Sequence, residues 1–482
     1  ASFSANTSFT NSFSELGETQ ISFVQEGVNL SNSSATIWGE TTSSTSFDAD
    51  DIIGWGMTTD DDGNYYVIGT SQGEFTIAGY TVPGVSSGLG VFLIKFFENG
   101  SIDWGISSAD CACNNGGSAV TVDRNGSVYI TGELDGGITF ANMSASYGEM
   151  YVAKFSSSGQ VLWVESDTTG YWFLGGLDIV LDDDDNSYII GTKYTGSAYR
   201  PFITVIDTYG NWIWGTVSSN FGDNEFFNDL GVGLVTDGSN YLYASFTNFT
   251  SNTNSVLTVM KFNITGGIAG GLKSEWSTNV INSDATTVGT CTGANCNHGG
   301  GITLDNDGNI LVSGSTRTSN SGSAYDAFAA KLAPNGSTLW FTKLSVGGSP
   351  SYSGDIEAGL NGEIIISGRI GATVDRGFIS IVNSSGGNIR YFNGGASSGG
   401  GTNFYGSTID SQGIVKLTGS THGGQFGTTS VTTSSAGHKL IITGFISDYD
   451  EDEIKNSIDN DVDGDGVGNS NDGCEYSPIY FV

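Results

Sequence analysis

Proline is scarce in this sequence, with five in 482 residues, and so is positive charge: 16 Lys and Arg stand against 51 Asp and Glu. There are five Cys and three His. Each shortage excludes something. A net charge of −35 repels the phosphates of nucleic acid, so that partner is set aside. No run approaches the ~18 apolar residues of a membrane-crossing helix, so no membrane span is expected. His298, His422 and His438 fall in no HExxH or triad context. Acidic residues are too abundant for any pair to stand out as a glycosidase dyad. On these grounds the chain reads as not an enzyme.

The cysteines are too few for a disulfide scaffold. Cys291 and Cys296 flank a TGAN loop whose length permits a local bridge; with His298 they could instead hold a metal, the weaker reading. Cys111 and Cys113 are too close for an ordinary bridge, although a small strained ring is possible. Cys474 is the odd one, suggesting an intermolecular bond or a partner in a strained pair, and unpaired thiols are the bland alternative. The chain opens at Ala1 with neither Met nor signal peptide, which reads as a processed terminus and favours export.

What the sequence has in quantity is glycine, 73 residues, and a repeat. Asp60 to Trp104 sets the pattern: TDDDGNYYVIGT, a Gly-rich span, then VFLIKFFENGSIDWG. DDGN and ENGS are tight-turn signals between apolar runs. With the preceding GWGM run they predict four short antiparallel strands, a to d. Strand b recurs as NYYVIGT, SVYITGE, NSYIIGT, NYLYASF, NILVSGS, EIIISGR and IVKLTGS. Its Gly, Ser in the fourth copy, falls at 69, 132, 191, 245, 314, 368 and 419, steps of 63, 59, 54, 69, 54 and 51 residues. Strand c carries Lys95, Lys154, Lys261 and Lys331, and strand d an aromatic at Trp104, Trp163, Trp214, Trp276, Trp340 and Tyr391. A period of this size with four strands per copy predicts an all-β, seven-bladed propeller of four-stranded antiparallel blades. Six aromatic d strands serve seven copies. The missing one is SATIWGET, so the N-terminal strand around Trp38 is expected to complete the last blade.

The pattern D-x-x-G-N-h-Y-h-x-G, then h-h-h-K-h, then G-x-h-h-W, resembles the seven-bladed bacterial and archaeal β-propeller repeats over about residues 34–446. The resemblance implies the fold and no particular activity. Three parts follow: an extended arm at 1–33, the propeller at 34–447 and an acidic tail at 448–482. Turns a–b and c–d are short. Connections b–c are long, and several d–a connections are too, which puts the variable loops on one face of the disc, where binding usually resides.

The tail contains DVDGDGVGNSND. Asp461, Asp463, Asp465, Asn469 and Asp472 occupy positions 1, 3, 5, 9 and 12 of an EF-hand-like loop, with Gly466 at the turn and the Val467 carbonyl at position 7. Six oxygens on that spacing suit Ca²⁺. With Cys474 and Pro478 the segment resembles a single thrombospondin type 3 repeat, a calcium-binding module of extracellular proteins. The acidic turns at Asp60–Asn64, Asp182–Asp185 and Asp305–Asn309 are better read as turns, since Asp, Asn and Gly are what such turns need. The Trp series reads as core packing on the outer strands, not as a sugar platform. Sequons at Asn99, Asn125 and Asn335 lie in such turns as well.

The leading functional expectation is an extracellular or cell-surface structural subunit, a filament former in which the arm docks on a second copy. It rests on Phe3, Phe9 and Phe13, which the arm cannot bury alone, and on a ring that leaves it no vacancy. The alternative is a secreted adhesion propeller holding a glycan or protein on the long-loop face. A polysaccharide-acting enzyme comes last.

Overall fold

In the computed structural model the described residues are 19–22, 36–41, 52–109, 113–146, 148–167, 172–194, 199–216, 233–251, 254–280, 300–317, 325–344, 349–371, 374–394, 401–422, 424–426, 429–431 and 438–446. Seven antiparallel sheets stand around an axis, as expected. Blade 1 is Ile52–Thr59, Tyr65–Ser71, Gly88–Phe96 and Ile102–Ser107, strands a to d. The seven a strands are Ile52–Thr59, Ala119–Val122, Trp172–Leu181, Gly233–Thr236, Ile302–Leu304, Ser351–Ala358 and Thr402–Ile409. Each touches the next and the last touches the first, which closes the ring.

Closure comes from the N-terminus. Thr36–Thr41 pairs antiparallel with the c strand of blade 7, Lys439–Ile446, placing Trp38 opposite Gly444. The expectation from the missing seventh aromatic therefore holds. One step further out, Thr19–Ser22 pairs with Thr36–Thr41, so blade 7 has five strands. The described part of the arm lies on its own chain. The idea that the arm has no vacancy at home, which carried the exchange between copies, loses its premise.

The signature glycine of strand b has a steric cause. Strand a bulges opposite it, with register shifts at Gly54/Gly56, Gly176/Asp178, Ser353/Asp355 and Phe404/Gly406. The bulge drives a backbone carbonyl against the neighbouring strand. A Cβ at Gly69 would lie 2.0 Å from the Ile53 carbonyl oxygen, and one at Gly419 1.9 Å from that of Asn403. No side chain fits there.

Both faces of each blade are covered, so strands b and c are apolar on both sides instead of alternating. Every residue of Tyr65–Ser71 is buried. Consecutive blades are then tied at the rim by tryptophan. The Trp104 indole donates to the Ser157 carbonyl of the next blade at 3.0 Å. Trp163 reaches Thr208 at 3.1 Å, Trp276 reaches Pro334 at 3.2 Å, and Trp340 reaches Ser384 at 2.9 Å. Each acceptor belongs to a c–d turn, and two residues on is a left-handed glycine beneath the ring. At Gly159 (φ 79°) an added Cβ would sit 2.8 Å from the Trp104 ring. Tyr391 departs from the series: in blade 6 Arg390 stands opposite Ile381, one register position off.

Trp104 is 9% exposed. Trp104→Ala is expected to lower the unfolding free energy by about 3 kcal/mol or more, from lost burial and a cavity between blades. Urea unfolding measures it, with Leu339→Ala, at 53% exposure, as the near-silent control. A Trp104→Ala variant as stable as the parent contradicts the role given to the indole.

Candidate functional site

The acidic a–b turns use their carboxylates on themselves. Asp60 Oδ1 accepts the amides of Asp62 and Asn64, while Oδ2 accepts the Asn64 side-chain amide and the Tyr66 hydroxyl. Asp182 and Asp305 repeat the arrangement with Asn186 and Asn309. These are turn caps, as the composition of the turns implies. The c–d sequons have the same explanation: Asn99 and Asn335 accept the amide and hydroxyl of Ser101 and Ser337.

The repeated lysines are buried and paired. Lys331 lies 2.6 Å from Asp305, Lys95 3.2 Å from Asp103 and Lys261 3.5 Å from Glu275. Each stands opposite the rim tryptophan of its own blade. Blade 7 lacks the strand-c lysine, yet the charge is present. Lys416 supplies it from strand b, 2.5 Å from Asp410, with both side chains 1% exposed. Its ammonium lies 5.3 Å from the ring centre of Tyr65 in blade 1.

Two carboxylates near the axis stitch blades together. Asp178 accepts Ile179 N–H and, from the next blade, Leu234 N–H at 2.7 Å. Asp355 accepts Ile356 N–H and, again from the next blade, Ser407 N–H at 2.8 Å. The corresponding residues elsewhere are small: Gly56, Ala119, Gly233, Gly301 and Gly406. Burial pushes the Asp178 carboxyl up to about 7 despite those two donors, with Asp355 adding to the rise. Burial likewise lifts Asp355 to about 6 and, with Asp355 beside it, raises Glu357 well above the carboxylate range.

A different chemistry gathers where ring closure brings blades 6, 7 and 1 together, toward the long-loop end. The rings of Trp55 and Tyr405 meet at 4.7 Å between centroids. Trp55 donates its indole N–H to Thr70 Oγ1 at 3.1 Å. The Arg369 guanidinium lies over the Tyr352 ring at 4.4 Å and is paired with Asp375 at 2.6 Å. Tyr325 packs on Tyr352 at 5.4 Å. Burial raises the Tyr405 hydroxyl, which lies beside Ser420 and Asn403. Trp55, Tyr352, Tyr405, Arg369 and Asp375 are half-buried. Sequence reading missed this group. Trp55 and Tyr405 are the bulge residues of GWG and FYG, in first and last copies that become neighbours only when the ring closes.

The calcium-loop residues Asp461, Asp463, Asp465, Val467, Asn469 and Asp472 lie outside the described residues, as do Cys111, Cys291, Cys296, His298 and Cys474. Cys113 is disulfide-bonded, which sets aside the unpaired-thiol reading for that residue. His422 and His438, at the two ends of the last b–c connection, have their rings in contact. Among the described residues no group of three or more His, Cys, Asp or Glu is placed to hold a metal.

No protein-family model and no curated protein matches the chain. Solved structures do share the arrangement of strands. The β-propeller domain of the Trilobed protease from Pyrococcus furiosus, described as having an open velcro topology, is 8% identical over 81% of this chain and 95% of its own, with a TM-score of 0.41. Polysaccharide lyase Uly1 is 9% identical over 89% of this chain and 98% of its own, TM-score 0.42. A puromycin hydrolase is 10% identical over 77% of this chain and 50% of its own, TM-score 0.45. The expectation that the chain is not an enzyme is therefore corrected. It rested on missing motifs, and proteins with this arrangement of strands include a hydrolase and a lyase. At such identities the likeness concerns the fold alone and transfers no activity.

The axial carboxylates predict a pH dependence. A carboxyl with a raised folded pKa binds its proton more tightly when folded. Its stabilising contribution is complete below the ordinary carboxylate pKa of about 4 and is lost as pH rises through about 6 to 7. Asp178→Asn, alone and with Asp355→Asn, is expected to flatten the fall in stability between those limits. The hydrogen bond that an amide cannot replace costs the same at every pH, so the slope isolates the titration. Chemical denaturation at a series of pH values reads it, and parallel parent and variant curves would overturn the assignment.

Proposed function

We propose that the protein is an extracellular propeller that binds a neutral glycan at the long-loop end of the seam between blades 6, 7 and 1. The observation that carries the reading is the convergence there of half-buried Trp55, Tyr352 and Tyr405 with the Arg369–Asp375 pair. Aromatic faces cover the apolar face of a sugar ring, while a guanidinium and a carboxylate offer fixed donors and acceptors to its hydroxyls. Arg369 is neutralised by Asp375, and the chain carries −35 overall, so an anionic ligand is repelled. The half-burial of these side chains supports the reading further, because blade packing elsewhere leaves residues such as Tyr65 and Tyr129 fully enclosed.

Affinity electrophoresis in gels holding dextran, mannan or soluble cellulose derivatives tests this. Retardation by at least one neutral polymer is expected, and Trp55→Ala and Tyr352→Ala should each weaken it about tenfold or more, as loss of a buried aromatic anchor does. No retardation by any neutral polymer, or variants retarded like the parent, would sink the reading.

We further propose that the tail binds one Ca²⁺ through Asp461, Asp463, Asp465, the Val467 carbonyl, Asn469 and Asp472. The support is the spacing of its donors and the mutual repulsion of four carboxylates in one short loop. Calorimetry is expected to show uptake in the parent and its loss in Asp465→Ala; equal uptake by both refutes the loop.

A further inference from the structure

The chain has three histidines, and the fold sets two of them face to face. His422 directly follows strand b of blade 7, Ile414–Thr421, and His438 directly precedes strand c, Lys439–Ile446. Thr421 is paired with Lys439, so the next rung of the ladder holds His422 opposite His438. Their ring centroids are 4.0 Å apart and the planes are inclined at 66°. Both residues are half-buried. Their backbones are fixed: His422 N–H donates to the Gly401 carbonyl at 3.0 Å, and the His438 carbonyl accepts Ile52 N–H at 3.0 Å across the closing seam.

We infer that His422 and His438 form a two-imidazole site for a divalent transition-metal ion, of the Ni²⁺, Cu²⁺ or Zn²⁺ class, that clips strands b and c of blade 7. Two imidazoles on one ion, with metal–nitrogen bonds of about 2.0–2.1 Å and angles between square and tetrahedral, have ring centres about 4.5–5.2 Å apart. The observed 4.0 Å is within about an ångström of that, a gap that side-chain rotation closes without moving either strand. Imidazole nitrogen selects this class over Ca²⁺ and Mg²⁺, which take oxygen ligands. Water completes the coordination. The ion spans the residues that flank the connection 423–437, one hydrogen bond from blade 1. Its binding therefore stabilises closure of the ring. The site rests on the cross-strand pair and is independent of any glycan at the seam.

Calorimetric titration of the full chain with Ni²⁺ tests the inference, with cysteines oxidised and Ca²⁺ in excess to saturate the acidic segments. One equivalent is expected in the parent and in His298→Gln. His422→Gln and His438→Gln should each weaken it about tenfold or more, as loss of one of two ligands requires. Thermal melting guards against misfolded variants: without metal both should melt as the parent does, and Ni²⁺ should raise the melting temperature of the parent and of His298→Gln only. If one of them fails to fold, the other decides alone. No uptake by the parent, or uptake and thermal shift unchanged in the paired-histidine variants, overturns the site.

Discussion

Everything in this molecule depends on one blade reaching the next. A four-stranded sheet this small cannot enclose its own faces, and the seven succeed because each covers its neighbour. The rim indole is the most regular expression of that dependence. Its ring fills the space over a c–d turn and its N–H satisfies a carbonyl that would otherwise lie under an aromatic face. Near the axis Asp178 and Asp355 do the corresponding work in polar form, each accepting an amide from the following blade. Hydrophobic area holds the ring together, and these directional bonds fix how far each blade is rotated from the last.

Polar groups placed inside such an assembly need partners, and the repeat provides them locally. Turn aspartate, strand-b tyrosine, strand-c lysine and strand-d tryptophan form one cross-strand row, seen most fully around Asp123, Tyr129, Lys154 and Trp163. Blade 7 shows that the charge can be carried from another strand: Lys416 takes the place of the tyrosine and still meets the turn aspartate. A buried ammonium without that partner would cost far more than the pair contributes.

The fold was largely legible because its signals are local. Turn residues at fixed offsets, the strand-b glycine and the spacing of the tryptophans all report on neighbours within a blade. Ring closure was legible too, through the count that singled out Trp38. What escaped was everything created by joining the first and last blades. Trp55 and Tyr405 are about 350 positions apart in the chain, and nothing in either GWG or FYG announces the other. Arg369 over Tyr352 escaped for another reason: the two are direct cross-strand partners within blade 6, and that register was not read from the sequence. Arg390 in place of Tyr391 shows the opposite limit, where a one-residue register shift is invisible in an alternating pattern.

The pairing of Ile37 with Phe445 has a consequence for how the chain is made. A ribosome delivers Thr36–Thr41 before blades 1 to 6 and its partner Lys439–Ile446 after them, so all of these must exist before that ladder can form. Blades 1 to 6 have short internal contact distances and can accumulate during synthesis. The seam cannot. Until Lys439–Ile446 is made, the nascent propeller is an open arc with two sticky ends, one of them a strand without its mate. Such an arc is the form in which two chains could trade strands or in which a quality-control factor would find exposed edges. The slow step of maturation is thus placed at the joint where Trp55 meets Tyr405, and that contact does not exist before the joint is complete.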